Sequence, residues 1–222
     1  STGGSGGVAG GSTGGSGGGV AGAGGAGTCT VYPQETQGPF YQDLDLLRSD
    51  IREGKPGAEL RLEIQVIRAS DCAPLADVAV DIWQCDADGV YSGFTGQLGG
   101  LDTTGMKWLR GTQITSAEGI VDFISVYPGW YPGRTTHIHF KVHFTPTSES
   151  VSQMYFPEEL TTEVYAATPY LAHGPKDTSN DADAFAHAGN DGFLGGTADE
   201  PVEVGADGNA GLGLDDDAVL GH

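Results

Sequence analysis

Between Leu60 and Val66 apolar and polar residues alternate, with Leu60, Leu62, Ile64 and Val66 set against Arg61, Glu63 and Gln65. A period of two predicts a strand with one wet face. Val78, Val80 and Ile82 repeat the pattern and run into Asp86-Ala87-Asp88-Gly89, a turn sequence. Leu109 to Ile114 and Ile120 to Val126 flank the turn Ser116-Ala117-Glu118-Gly119, and together they read as a hairpin. Thr136 to Phe144 is a further strand, in which His137, His139, Lys141 and His143 face one way and Ile138, Phe140, Val142 and Phe144 the other. Helix is expected only in two short stretches, Leu44 to Glu53 and Pro157 to Ala167. Val202, Val204, Leu212, Leu214 and Val219 are spaced to form one last hairpin. Short strands separated by Gly/Pro turns predict an all-β fold, an antiparallel β-sandwich with short helices and long loops.

Composition adds a boundary to this pattern. Of 38 glycines, 15 fall between Ser1 and Gly27, a stretch built only from Gly, Ser, Thr, Ala and Val. It has nothing large to bury, so residues 1–27 are expected to be a flexible linker before one domain from Thr28 to His222. Charge is lopsided, 10 Lys+Arg against 30 Asp+Glu, a formal net of −20. That balance excludes nucleic-acid binding by phosphate neutralisation and docking on an anionic membrane surface. No apolar run approaches the roughly 20 residues of a membrane span. The leader lacks the charged start and apolar stretch of a signal peptide. A mature chain whose signal has been removed fits it, which places the domain secreted or tethered outside the cytoplasm. Cys29 and Cys72 sit in polar settings where a bridge would pin the start of the domain, whereas Cys85 ends an apolar run and reads as a buried free thiol. Three free thiols stay open as the alternative.

Candidate chemistry concentrates between Tyr127 and Phe144. Two imidazoles at i and i+2 of one strand, His137 and His139, can converge on one metal ion. Alone, His-x-His is a weak signal, because a histidine on a wet strand face needs no ligand. A cupin-type use would need a glutamate a few residues downstream, and the nearest acidic residue after His139 is Glu149. Asp86 and Asp88 read as turn formers, since Val90 and Ser92 occupy the next positions of a calcium loop. His143 stands about 13 Å beyond His139 at roughly 3.3 Å per residue, too far to share its ion.

The flanks carry more. Pro128-Gly129-Trp130-Tyr131-Pro132, followed by Arg134 and His137-Ile138-His139, resembles the signature of intradiol ring-cleavage dioxygenases. Three further segments resemble that family in the same order: Glu35-Thr36-Gln37-Gly38-Pro39-Phe40-Tyr41, Val80 to Tyr91, and Gln153-Met154-Tyr155-Phe156. The resemblance covers about Thr28 to Phe185 and, through Cys29 and Cys72, is closest to a small secreted branch. It implies a mononuclear non-haem Fe(3+) site with Tyr91, Tyr131, His137 and His139 as ligands. It also implies catechol and O2 as substrates, a cis,cis-muconate-type product, Tyr131 as the ligand that gives way, and Arg134 as the group stabilising negative charge. Ferric iron is hard and highly charged, so phenolates suit it, and coordination strips the phenol proton. Gly133 alone separates Pro132 from Arg134, a departure from the family pattern that bears on substrate scope, and Thr135-Thr136 stands where Pro-Ala is common, a change the strand should tolerate. Two other readings stand beside this one: a non-catalytic extracellular β-sandwich binding module, and a hydrolytic zinc site. Oligomeric state, monomer or homodimer, stays open.

Overall fold

The computed structural model describes residues 32–186 together with the strands at 202–204 and 211–214. The leader and Cys29 lie outside the described residues, and the Cys29–Cys72 pairing with them. In chain order the elements are β1 (Glu59–Arg68), β2 (Ala79–Trp83), β3 (Thr95–Gln97), β4 (Leu101–Asp102), β5 (Arg110–Ile114), β6 (Ile120–Val126), β7 (His137–Thr145), β8 (Ser148–Tyr155), α1 (Glu158–Tyr165), β9 (Val202–Val204) and β10 (Gly211–Leu214). One sheet contains β1, β6, β9 and β10, the other runs β5-β2-β7-β8, and β3-β4 forms a separate small ribbon.

The alternation in β1 has its expected effect: Leu60, Leu62, Ile64 and Val66 are buried and Arg61 is exposed. They pack with Val121 and Phe123 of β6 against Val80, Ile82, Ile138, Phe140 and Val142 of the second sheet. Pairing within β1–β6, β2–β5, β2–β7 and β7–β8 is antiparallel throughout. The result is a sandwich whose second sheet offers its other face to the site.

Three expectations are corrected. The segments around Ser116–Gly119 do not form a hairpin, because β5 pairs with β2 in one sheet and β6 with β1 in the other. Thr115 turns the chain between layers: its N–H donates to Val78 O (2.9 Å) and its hydroxyl donates to Leu75 O (2.7 Å). Leu44 to Glu53 is not a helix but an extended segment laid against both sheets. Its backbone is paired outward, with Thr112 N donating to Leu46 O, Arg48 N to Thr112 O and Ile51 N to Ile124 O. Ile51 is wholly buried while Leu47 is largely exposed, so its apolar residues never shared one helical face. At the C-terminal end β9 and β10 do not pair with each other; each pairs parallel to β1, at Leu60–Leu62 and Gln65–Arg68 respectively.

The helix expected from Pro157 to Ala167 forms as α1, and the Thr136–Phe144 strand as β7. Among the described residues, the consecutive strands paired within the second sheet are β7 and β8, with a register shift between His143 and Thr145. Among the described cysteines Cys85 is the free thiol, buried as expected, and burial pushes it well above the usual thiol range.

Candidate active site

The site lies on the face of the second sheet that turns away from the core. Strict alternation puts His137, His139, Lys141 and His143 of β7 on that face, and register adds Trp83 of β2 beside His139, with Gln153 and Tyr155 of β8 opposite His139 and His137. That face is not wet. Residues 32–41 lie across it: Glu35 N donates to Val151 O (2.9 Å), Tyr32 Oη to Gln153 O (2.9 Å), and Gln153 Nε2 to Thr36 O (3.0 Å). His137 and His139 are consequently buried.

The two tyrosines come from loops. Tyr91 follows the Asp86–Gly89 turn, where Asp86 Oδ1 accepts from Asp88 N and Val90 N (3.1 and 2.9 Å), the turn-forming role expected of it. Its backbone is gripped by Gln97, whose Oε1 accepts from Tyr91 N and whose Nε2 donates to Tyr91 O, both at 2.7 Å. Tyr131 sits in the Pro128–Pro132 loop. The two loops interlock through glycines: a Cβ on Gly89 would stand 2.0 Å from Trp130 O, and one on Gly129 2.5 Å from Ala87 O. Only bare backbone allows that approach.

Four donor atoms gather around one point. Tyr91 Oη and Tyr131 Oη each lie 3.4 Å from His137 Nε2, and His139 Nε2 lies 3.2 Å from it. Thr135 O stands 2.6 Å from His137 Nδ1, which places the ring proton there and leaves a bare lone pair at Nε2. Burial and then the Arg134 charge hold His137 down to about 3, and burial with His137 holds His139 well below its ordinary value, so both imidazoles are neutral ligands in waiting. Burial raises Tyr131 to about 12 and Tyr91 well above the usual phenol range. Donors bound to one first-row ion at roughly 2.0–2.1 Å stand about 3.3–3.4 Å apart in a tetrahedral set. The spacing and the chemistry of the donors therefore fit a metal ion. Two phenols suit hard ferric iron, and the described residues hold no group of three His, Cys, Asp or Glu such as zinc favours.

Around the cluster, Phe40 stacks on Tyr91 (4.3 Å, 14°) and Trp83 on His139 (4.9 Å, 5°). Gly38 (φ +67°) lets the strap pass His139 closely, since a Cβ there would stand 3.3 Å from Cε1. Arg134 approaches Tyr131 Oη through Nη1 (3.5 Å) and is aimed by three groups: Asp183 Oδ2 accepts from Nε (2.8 Å), Gln153 Oε1 accepts from Nη2, and Tyr155 Oη lies 3.4 Å from Nη2. Asp183 Oδ2 also accepts from Thr135 N (2.8 Å).

All five residues singled out from the sequence, Tyr91, Tyr131, Arg134, His137 and His139, are thus brought together. His143 is apart, paired with Asp81 at 2.9 Å, and Tyr127 is engaged with Thr161 at 2.7 Å. A binding module with scattered side chains does not describe this geometry. The partners of Arg134 were not foreseen. Gln153 and Tyr155 lie in the Gln153–Phe156 segment already singled out by resemblance, but their contact with Arg134 shows only once β8 pairs with β7, and Asp183 lies 49 residues beyond Arg134 with no local signal.

The profile of the Dioxygenase family matches residues 32–187, more than half of the chain, and the chain belongs to that family. Its relatives narrow the family to intradiol ring-cleavage dioxygenases. Protocatechuate 3,4-dioxygenase beta chain of Burkholderia cepacia is 31% identical over 156 residues, covering 65% of this chain and 60% of that one. Chlorocatechol 1,2-dioxygenase of Rhodococcus opacus is 25% identical over 145 residues, 54% of each. The chain therefore spans less than two thirds of the length of either. Among solved structures, an intradiol ring-cleavage dioxygenase from Tetranychus urticae superposes with a TM-score of 0.67 at 31% identity, covering 71% of this chain and 80% of that one. The dioxygenase domain of a dioxygenase carbohydrate-binding protein fusion from Streptomyces sp. SirexAA-E gives 0.57 at 26% identity, covering 78% and 94%.

Proposed function

We propose that this chain binds Fe(3+) through Tyr91, Tyr131, His137 and His139 and uses O2 to cleave a catecholic ring between its two hydroxylated carbons, giving a cis,cis-muconate-type product. The observation that carries this reading is the convergence of two phenol oxygens and His139 Nε2 to within 3.4 Å of His137 Nε2. Bound ferric iron would supply a Lewis acid that takes up both catechol oxygens and makes the ring reactive toward O2. The residues of the chain do the rest. Thr135 O fixes the His137 tautomer, and Trp83 holds the plane of His139. Tyr91, wholly buried under Phe40, is the phenol that stays in place. Tyr131, half-buried on its loop, is the one that moves; held by the metal as a phenolate, its oxygen would take a proton from the incoming catechol. Arg134, beside Tyr131 Oη, presents fixed positive charge where the ring and its oxygens become electron-rich. A Cys29–Cys72 bridge and a place outside the cytoplasm belong to the same proposal. No described helix is long and apolar enough to cross a membrane.

Colour tests the reading. Tyrosinate-to-ferric charge transfer absorbs visible light, so the iron-loaded protein should be coloured, should change colour on adding catechol, and should consume O2 with it. His139→Ala should lose colour and turnover together. A colourless iron-loaded protein, or full activity in His139→Ala, would end the proposal.

A further inference from the structure

Arg110 is the anomaly among the cations. Every other buried or half-buried lysine and arginine pairs with a carboxylate: Lys55 with Asp86, Arg134 with Asp183, Lys141 with Glu149, Lys176 with Glu158, and the Arg48 to Arg68 set likewise. Arg110 is 3% exposed and makes no ion pair among the described residues. A buried guanidinium without an anion is costly, because removal from water is not offset. Its bonds instead go to one residue: Nε donates to Ser92 Oγ and Nη2 to Ser92 O, both at 2.8 Å. Ser92 is the residue next to Tyr91.

Register supplies the second link. Arg110 of β5 stands directly opposite Trp83 of β2, and Trp83 directly opposite His139 of β7. Side chains opposite one another share a face, so Arg110, Trp83 and His139 form a row across the sheet, ending in the Trp83–His139 stack. Arg110 thus reaches Tyr91 along the chain and His139 across the sheet. Phe94 packs against its guanidinium at 5.5 Å and helps to exclude water from that side. Burial draws Arg110 down to about 10, and the Tyr91 oxygen is the charge that acts the other way.

We infer that Arg110 is a positioning residue that serves as the buried counter-charge of the Tyr91 phenolate while clamping Tyr91 through Ser92. The inference rests on the ferric reading above, and it divides the work between two guanidiniums. Arg134 approaches Tyr131 Oη and its charge also acts on Tyr91, whereas Arg110 is tied to the Tyr91 segment through Ser92. A cation close to a phenolate lowers the energy of its donor electrons and so raises the energy of phenolate-to-iron charge transfer.

Charge and clamp separate by substitution, read by visible absorption and ferric affinity of the full chain. Arg110→Gln keeps some donors and loses the charge; Arg110→Lys keeps the charge and loses the fork; Ser92→Ala removes half of the clamp and leaves the charge. The inference expects a red-shifted band and at least a 10-fold loss of ferric affinity in Arg110→Gln. It expects a band near the wild-type position in Arg110→Lys and Ser92→Ala. Equal shifts in Gln and Lys variants, or no shift in either, would overturn the charge role. Should the Arg110 variants not fold, a Ser92→Ala band displaced as far as a lost charge would displace it overturns it too. Melting of the metal-free proteins monitors folding separately. A colourless iron-loaded wild type would defeat the ferric reading itself, a different outcome from a coloured wild type matched by its Gln variant.

Discussion

Arg134 gathers more constraint than any other side chain at the site. Asp183, Gln153 and Tyr155 fix three sides of its guanidinium, and only Nη1 is left facing Tyr131. A side chain held that way loses little freedom when charge develops beside it, which is the condition for a preorganised donor. Arg134→Gln should therefore lower kcat by about 100-fold or more while iron content and colour survive. Loss of iron in that variant would show that Arg134 supports the fold instead. Asp183→Asn tests the same arrangement from outside: it weakens the grip on Nε without touching a proposed ligand, and kcat should fall, though by less than in Arg134→Gln. Unchanged turnover in Asp183→Asn would mean that Gln153 and Tyr155 suffice. The five site residues were legible in the sequence because family motifs and the His-x-His alternation mark them locally. Asp183 was not, because an aspartate in an acidic tail looks like solvation until the chain folds back on Thr135.

At the level of elements, β7 is buried on both sides, and its two faces carry different work. Ile138, Phe140 and Val142 fill the sandwich, while His137 and His139 hold the site. Phe140→Ala should cost about 3–5 kcal/mol through the cavity it leaves. In a domain of this size that is a fall of roughly 6–20 °C in melting temperature, with the iron site formed below the transition. The interlocked turns make the opposite kind of target. Gly89→Ala places a Cβ against Trp130 O, a backbone atom, at a glycine with φ +79°, so the Tyr91 and Tyr131 loops must separate. Iron affinity should drop before stability does, and metal titration beside a thermal melt would reveal the order. Elements with strong period-two alternation, β1, β2, β6 and β7, were readable in advance. β8 was not, since serines at 148, 150 and 152 give it no apolar signal; Ser152 is buried by its bond to Pro33 O, a distant partner. Leu44–Glu53 misled for the complementary reason. Its leucines and Ile51 serve separate contacts along an extended path, and nothing in their spacing declares which sheet edge each will meet.

For the molecule as a whole, the net charge of −20 makes a general field that repels anions. The kcat/KM for a carboxylated catechol should rise with added salt, which screens that field, while that for an uncharged catechol stays flat. Equal salt responses would place the acidic residues too far from the mouth to matter. Cysteine mapping under non-reducing conditions should give a Cys29–Cys72 bridge and an unreactive Cys85; a bridged Cys85 would refute it. If formed, the bridge would restrict the unfolded chain by roughly 4 kcal/mol in the loop-entropy account. The strap at residues 32–41 bears on order of assembly. Its bonds to β8 join residues 117 to 121 positions apart. Contacts of such separation close late, after the local hairpin β7–β8 has formed. The imidazoles would then exist side by side before Phe40 arrives to cover Tyr91. Under the ferric proposal, iron offered during that interval should meet less obstruction than iron offered to the finished chain, whose imidazoles are buried. Loading during refolding should accordingly outpace loading of folded apoprotein, and shortening the strap up to Gly38 should erase the difference.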